Sequence, residues 1–502
     1  MKLISSVFIF LTVVIVGVYT LLFTSLGHGI LIPIIENKIK QNTKIDTVTV
    51  KSFSLNPNQF SIVVDMNKSI IQMDSKFNIF DRGISGNYKV DIQDLSLFSK
   101  LTHSDLKGSV LTYGTLNGKF DNLDLKGKTI IAKGDLEYSF NVTDDLKDIN
   151  FHARNLDLST LLLMLGQKQY AKGSINIDGE ISSLSHLDGG IKTVLNNGFL
   201  NEKLIEKDFA FSLPKNSAFI VEIDSKLSKK SIQNKINIDS FVGTLTSKNS
   251  ELFLDSKLVQ SDYKIAISDM GKLSLLTKQK MRGDIIINGD ITIDKKLLAT
   301  FHSNIFDGSI NGKLDGNKLQ VHMKKLQTLP LLHTLYYPEI FRSSLDGDID
   351  FDMVSKKGNS LIKMYNGQFL TNEAMSTLKK LTNYDLTLEI YETSTLSTEI
   401  NNTILDNKLL MTSKNSTIKS DKMIVNTQNS TIDAKIDLLY KKLGLGINLD
   451  GSIASPNIKV KVDNALKEKV KDKAKKELDR FMEKNLDDRS KDNLKNLIKG
   501  LF

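Results

Sequence analysis

The sequence contains no cysteine and no tryptophan, and only six prolines in 502 residues. Without cysteine there are no disulfides, no thiolate metal ligands and no thiol nucleophile. Such a chain suits an oxidising compartment, where stray thiols are a hazard. The histidines (His28, His103, His152, His186, His302, His322 and His333) are scattered, with no His-x-x-x-His spacing or carboxylate partner motif for zinc. No Gly-rich phosphate loop, Gly-x-Ser-x-Gly elbow or dinucleotide fingerprint is present. The acidic run Asp346-Gly347-Asp348-Ile349-Asp350-Phe351-Asp352 invites a calcium reading. An EF-hand loop beginning at Asp346 would need Gly at its sixth position and Glu at its twelfth, where Phe351 and Lys357 stand. Alternate Asp residues on a strand face solvent without converging. Lysine-rich stretches lack the interleaved aromatics of a nucleic-acid surface. The expectation is therefore a non-enzymatic protein with no catalytic residues, metal, cofactor or nucleic-acid partner.

Apolar residues make up 40% of the chain and charged residues 25%, which excludes both a disordered chain and a polytopic membrane protein. The formal net charge of +9 gives a weak general preference for anionic surfaces. From Leu3 to Leu26 the sequence is apolar apart from Ser and Thr, with Lys2 in front. About 24 residues in a helix span roughly 36 Å, enough to cross a ~30 Å hydrocarbon core with some tilt. The run exceeds the short apolar region of a cleaved signal. Residues 1–28 therefore read as an uncleaved anchor, although Ser25-Leu26-Gly27 also fits a cleavage step. Residues 29–42 read as a short stalk helix with Pro33 near its start.

From residue 43 to 463 the pattern has period two, the signature of strands with one apolar and one polar face. In Asp284–Asp294 the odd positions are Ile285, Ile287, Gly289, Ile291 and Ile293. Ser174–Ser182 repeats this with Ile175, Ile177, Gly179 and Ile181. The alternation passes unbroken through Asp178-Gly179 and Asn288-Gly289, so these dipeptides do not read as two-residue hairpin turns. Gly179 and Gly289 are expected inside strands on the apolar face, marking either a close approach or a plain bulge. Leu-rich helical stretches followed by Gly and an alternating strand recur near residues 90–120, 151–182, 263–294 and 319–353. In the last, Gly347 is followed by Met353 where a second Gly would fall. At 12–14 residues per strand and turn, the body holds roughly thirty strands. An open sheet that long must roll or break, with its apolar side as an interior.

Beyond residue 463, Leu466, Val470, Ala474, Leu478, Phe481 and Met482 form a stripe at helical spacing, and Leu494, Leu497, Ile498, Leu501 and Phe502 form another. Residues 464–502 thus read as an amphipathic helix, lying on a membrane surface or on the protein's own body. The repeat Lys172-Gly173-Ser174-Ile175-Asn176-Ile177-Asp178-Gly179-Glu180-Ile181 and the closing Leu449-Asp450-Gly451-Ser452-Ile453-Ala454-Ser455-Pro456-Asn457-Ile458, together with the anchor and terminal helix, resemble the AsmA-like family of bacterial envelope proteins. The likeness spans almost the whole chain except about residues 201–260, on loose patterns. It implies a mainly β fold: a long, mostly antiparallel sheet rolled into a taco-like groove, held in the inner membrane with its body in the periplasm. It further implies phospholipid transport and outer-membrane biogenesis, with a membrane lipid, the inner membrane and an outer-membrane protein or the outer membrane as partners. Candidate groove-lining residues are Ile175, Ile177, Ile181, Ile285, Ile287, Ile291 and Ile293. The alternatives are a dry core in which they pack on each other, and a scaffold or spacer without lipid.

Overall fold

The computed structural model describes residues 28–462, apart from 46, 57, 79, 103, 210–211, 278, 373–374, 377–378, 381–383, 442 and 454. The apolar run expected to span a membrane and the C-terminal stripe lie outside the described residues. Among the described residues no helix is long and apolar enough to cross a membrane. The chain divides into two compact units, with the boundary between Asp262 and Tyr263.

In the first unit, α1 (His28–Thr43) precedes β1 (Thr49–Asn56), β2 (Gln59–Met66), β3 (Ser69–Asn78) and β4 (Gly83–Ile92). A 3-10 turn (Leu95–Phe98) and α2 (Ser99–Thr102) lead to β5 (Val110–Lys119), β6 (Asn122–Ile131), β7 (Gly134–Val142) and β8 (Leu146–Asp157). Next come α3 (Leu158–Met164), β9 (Ala171–Ser183), β10 (Asp188–Leu200) and α4 (Glu202–Phe209). The strands β11 (Ala218–Leu227), β12 (Ser231–Ser240) and β13 (Thr244–Phe253) complete it, and β14 (Val259–Ile267) carries the boundary. In the second unit a 3-10 turn (Met270–Leu273) and α5 (Ser274–Thr277) precede β15 (Ile285–Ile293), β16 (Leu297–Ile305), β17 (Gly308–Asp315) and β18 (Lys318–Gln327). Then follow α6 (Thr328–Thr334), β19 (Phe341–Asp352), β20 (Lys357–Phe369) and a 3-10 turn (Leu386–Leu388). The chain continues through β21 (Tyr391–Asn401), β22 (Ile404–Ser413), β23 (Ser416–Asn426), β24 (Thr431–Tyr440), β25 (Leu443–Ser452) and β26 (Ser455–Val462).

The fold is mainly β and antiparallel. Strands β1 to β13 form a meander in which each pairs with its sequence neighbours. Strands β15 to β26 do the same. The sheet is unclosed, since among the described residues β1 pairs with β2 alone. Among the described residues the strands number 26 rather than the roughly thirty expected, because many run to ten residues or more. In each unit every helix sits where an even-numbered strand hands over to the next odd-numbered one, with α1 entering β1 at that same end. One rim therefore carries helices and the opposite rim carries turns.

The recurring Leu-rich stretches resolve into a duplication. The amide of Leu95 bonds the carbonyl of Gly108 at 2.8 Å, and that of Met270 bonds Gly283 at 2.8 Å. Lys107 N reaches Met164 O at 2.9 Å, as Arg282 N reaches Thr334 O at 3.0 Å. Asn201 N to Tyr170 O at 2.7 Å is matched by Leu370 N to Ile340 O at 2.9 Å. The segment from β4 to β10 is thus rebuilt from β14 to β20, with these backbone bonds repeated. On this correspondence Gly108 and Gly114 match Gly283 and Gly289. Met353 does not take the place of a strand glycine: β19 ends at Asp352, and Met353 stands in the exposed turn beyond it.

Helix termini follow their capping chemistry. Asp157 accepts from Thr160 N at 2.8 Å and caps α3. The matching Gln327 makes no cap bond to α6. The equivalent of Thr160 there is Pro330, which has no N–H to offer.

Candidate functional site

Along β2 to β9 the apolar side of the sheet is packed shut. Phe60, Ile62, Val64, Val90, Leu125 and Ala153 are all buried in one cluster. Its floor is a cross-strand row, Tyr88–Gly114–Gly127–Tyr138, on four consecutive strands. The two rings lie toward each other over the two glycines, and their hydroxyls meet at 2.6 Å. A methyl group on Gly127 would fall 2.5 Å from the Tyr88 hydroxyl and 2.6 Å from Tyr138 Cζ, so only glycine leaves room for the rings. The Thr112 hydroxyl joins Tyr138 at 2.6 Å. Burial pushes the Tyr88 phenol well above its ordinary range, and Tyr138 adds to this. Burial raises Tyr138 too, although bonds with Thr112, Tyr88 and Thr129 partly offset it.

The duplicated row in the second unit reads Gly289–Phe301–Gly312, with Tyr263 covering Gly289. A methyl on Gly312 would fall 1.9 Å from Phe301 Cζ. Here the rings do not meet: the Tyr263 hydroxyl donates to Thr300 O at 2.9 Å. Burial raises its pKa, helped by the Asp290 carboxylate.

In β11–β12 and across β15–β19 the apolar side is half open. In β11 and β12, Val221 pairs with Ile238 and Ile223 with Ile236, all only partly buried and outside the packed cluster. In the second unit a row runs Ile291–Ala299–Leu314–Leu319–Phe351 across β15 to β19. Beside it runs Gly289–Phe301–Gly312–Val321–Ile349. Except for buried Gly312, every member of both rows is partly buried, and none belongs to the buried cluster around Tyr391, Met411 and Leu438. Five strands span about 19 Å at the usual inter-strand spacing. The polar side of these strands is solvated: Asp346, Asp348 and Asp350 accept from Lys325 N, His322 and Gln320 instead of converging on one point.

The isoleucines picked from the sequence divide along this line. Ile181 is buried in the packed cluster, and Ile175 and Ile177 lie half-buried against it. Ile285, Ile287 and Ile291 lie on the half-open side, and Ile293 at the strand end is 44% exposed. Gly179 lies within β9 opposite Phe151, whose ring covers it, and Gly289 lies within β15. The residues that sequence reasoning missed are the rings, Tyr88, Tyr138, Tyr263 and Phe301. Their only signal is position: Gly127 and Tyr138 stand equally far from the turn at Ala132-Lys133.

Polar side chains also gather at loops: Ser183 and Ser185 bond both Asp145 and His186, and Ser413 and Asn415 bond Glu389. His152 meets Asp178 at 2.7 Å beside Arg154, and in the duplicated place His322 meets Asp348 at 2.6 Å. These are exposed cross-strand pairs on the polar side. Among the described residues no group of three or more His, Asp or Glu is placed to hold a metal ion. Compared with known proteins, the chain matches no family model, no curated protein and no solved structure.

Proposed function

We propose that this chain is a lipid-binding protein of the bacterial envelope, and that its half-open apolar sheet face shields acyl chains from water. The carrying observation is the pair of continuous apolar rows across β15 to β19, left partly exposed while the equivalent side of β2 to β9 is packed dry. Each acyl CH₂ taken from water onto such a surface is worth about 0.8 kcal/mol. Among the described residues the helices of the second unit sit at one rim, which leaves that face uncovered by them. In this reading the sheet is a taco-like groove, the residue 1–28 run anchors it in the inner membrane, and the body works in the periplasm in phospholipid movement and outer-membrane biogenesis. The protein binds and does not catalyse.

The reading is tested by purifying the full-length chain in an amphipol and identifying co-purified lipid by mass spectrometry. Lipid in the wild type that is depleted in I287D or I223D supports it. A lipid-free wild type that also fails to bind diphenylhexatriene, a pure hydrocarbon dye, refutes it.

A further inference from the structure

The first unit sorts its exposed apolar side chains to one end of its strands. Among the described residues nine large apolar side chains are exposed in this unit, and only Phe80 lies at the turn rim. Four of the others stand in or beside the helices of the opposite rim: Ile34 in α1, Leu163 and Leu165 at the end of α3, and Phe209 closing α4. The remaining four interrupt the polar side of the sheet next to that rim. Ile70 and Ile130 sit one residue inside β3 and β6, Ile220 two inside β11 and Tyr113 three inside β5. At about 3.4 Å per residue they form a belt reaching roughly 10 Å from the helix rim.

Charge is sorted the same way. The connections at the helix rim of this unit, α1 included, carry eleven lysines against seven acidic residues, and those at the turn rim four basic against five acidic. On α4 the acids are engaged locally: Glu202 accepts from Asn216 N at 2.8 Å, Glu206 from the Ser212 hydroxyl at 2.6 Å, and Asp208 from Lys168 at 2.6 Å. Lys203 and Lys207, one turn apart, are exposed and make no ion pair among the described residues. The apolar run before residue 28 joins the fold through α1, which leads into β1 at this same rim.

We infer that the helix rim of the first unit docks onto the anionic headgroup surface of the membrane in which residues 1–28 are anchored. This takes the anchor from the reading above and uses none of the residues of the acyl-chain face. Leu163, Leu165 and Phe209 enter the boundary between headgroups and acyl chains. Tyr113 and the belt isoleucines lie at headgroup level, and the lysines meet lipid phosphates. An interfacial element buries its apolar side about 5–10 Å deep, comparable to the height of the belt. Each lysine close to an anionic leaflet tightens the contact about fivefold, and tyrosine is at home at that depth. A flat lipid surface suits side chains spread over the ends of four strands and three helices, with lysines interspersed.

The chain has no cysteine, so single substitutions can carry a polarity-sensitive nitrobenzoxadiazole label at chosen points. Full-length L165C, F209C, I130C and the turn-rim control F80C are reconstituted into phosphatidylcholine vesicles with and without phosphatidylglycerol. With phosphatidylglycerol the label at positions 165, 209 and 130 should be at least about threefold brighter than at position 80, and quenched by doxyl-labelled lipid. In a K203Q/K207Q background, the phosphatidylglycerol content needed for half of this gain in F209C should rise at least about twofold. Labels in L165C and F209C as dim as in F80C, on protein that floats with the vesicles, overturn the inference. Brightening indifferent to phosphatidylglycerol overturns it too. Diphenylhexatriene binding then still reads the acyl-chain face on its own. Protein that does not float with the vesicles sinks the anchor and the inference together.

Discussion

Placing a single methyl on Gly179 gives a quantitative probe of how the apolar side of the first unit is filled. The Phe151 ring lies across this glycine, and the new Cβ would sit 2.1 Å from Phe151 Cζ and 2.4 Å from Cε1. Phe151 is itself 8% exposed within the packed cluster, so the ring has little room to lift. Overpacking of this kind costs about 1–3 kcal/mol, and the short contact argues for the upper half of that range. Exchanging glycine for alanine in a strand returns about 0.5 kcal/mol by restricting the unfolded chain. The net expectation for G179A is about 2 kcal/mol of destabilisation confined to the first unit. The assay is native-state hydrogen exchange read by mass spectrometry, which resolves local opening in a chain of more than one unit. Amides in β8, β9 and β10 should exchange about 30-fold faster, since 1.4 kcal/mol is a factor of ten. Peptides from β19 and β20 should be unchanged. Trimming the ring in F151L should absorb the methyl, so the double variant should be no worse than F151L alone, a coupling of at least about 1 kcal/mol. Exchange in G179A within threefold of wild type, or strictly additive single and double variants, would refute the ring-over-glycine packing.

The tyrosine pair offers a second probe: Y88F should cost about 1 kcal/mol and Y138F more, because Tyr138 also holds Thr112. Both phenols are held above the ordinary value of 10.0 by burial, so their contribution is full below pH 10 and is lost as pH rises beyond it. The first unit should therefore lose stability in alkali more steeply in the wild type than in a Y88F/Y138F variant, measured by circular dichroism across pH 9–12. At the helix rim, D157A should cost about 1 kcal/mol by uncapping α3. Q327D should gain little at α6 because Pro330 offers no amide; a gain equal to the Asp157 loss in thermal melts would contradict this.

Much of the fold is legible in the sequence, since period-two alternation depends only on each strand having one side in water. Ser174–Ser182 and Asp284–Asp294 lie wholly or largely within β9 and β15, and the Leu-rich stretches are the helices of one rim. The two-unit division is not legible, because the boundary falls inside β14, where no linker chemistry marks it. The ring-and-glycine floor is hidden for a different reason. It depends on register, and register is set by tight turns whose residues give no turn signal. Ala132-Lys133 and Phe306-Asp307 hold positive φ at both turn positions, where Asn or Gly is the usual marker. Without those turns, nothing links Gly127 to Tyr138 or Phe301 to Gly312. Distinguishing a dry interior from a half-open one is likewise out of reach of alternation alone: Ile181 and Ile287 occupy the same pattern and differ only in what covers them.

The central claim concerns which surface touches lipid, and photo-crosslinking reads this directly. A phosphatidylglycerol carrying a diazirine near the end of one acyl chain, bound to the full-length protein and irradiated, should label the apolar side of β11–β12 and β15–β20, at residues such as Ile223, Ile287 and Val321. Labelling confined to polar-side positions such as His322 and Asp350, or spread evenly over both sides of the strands, would contradict it.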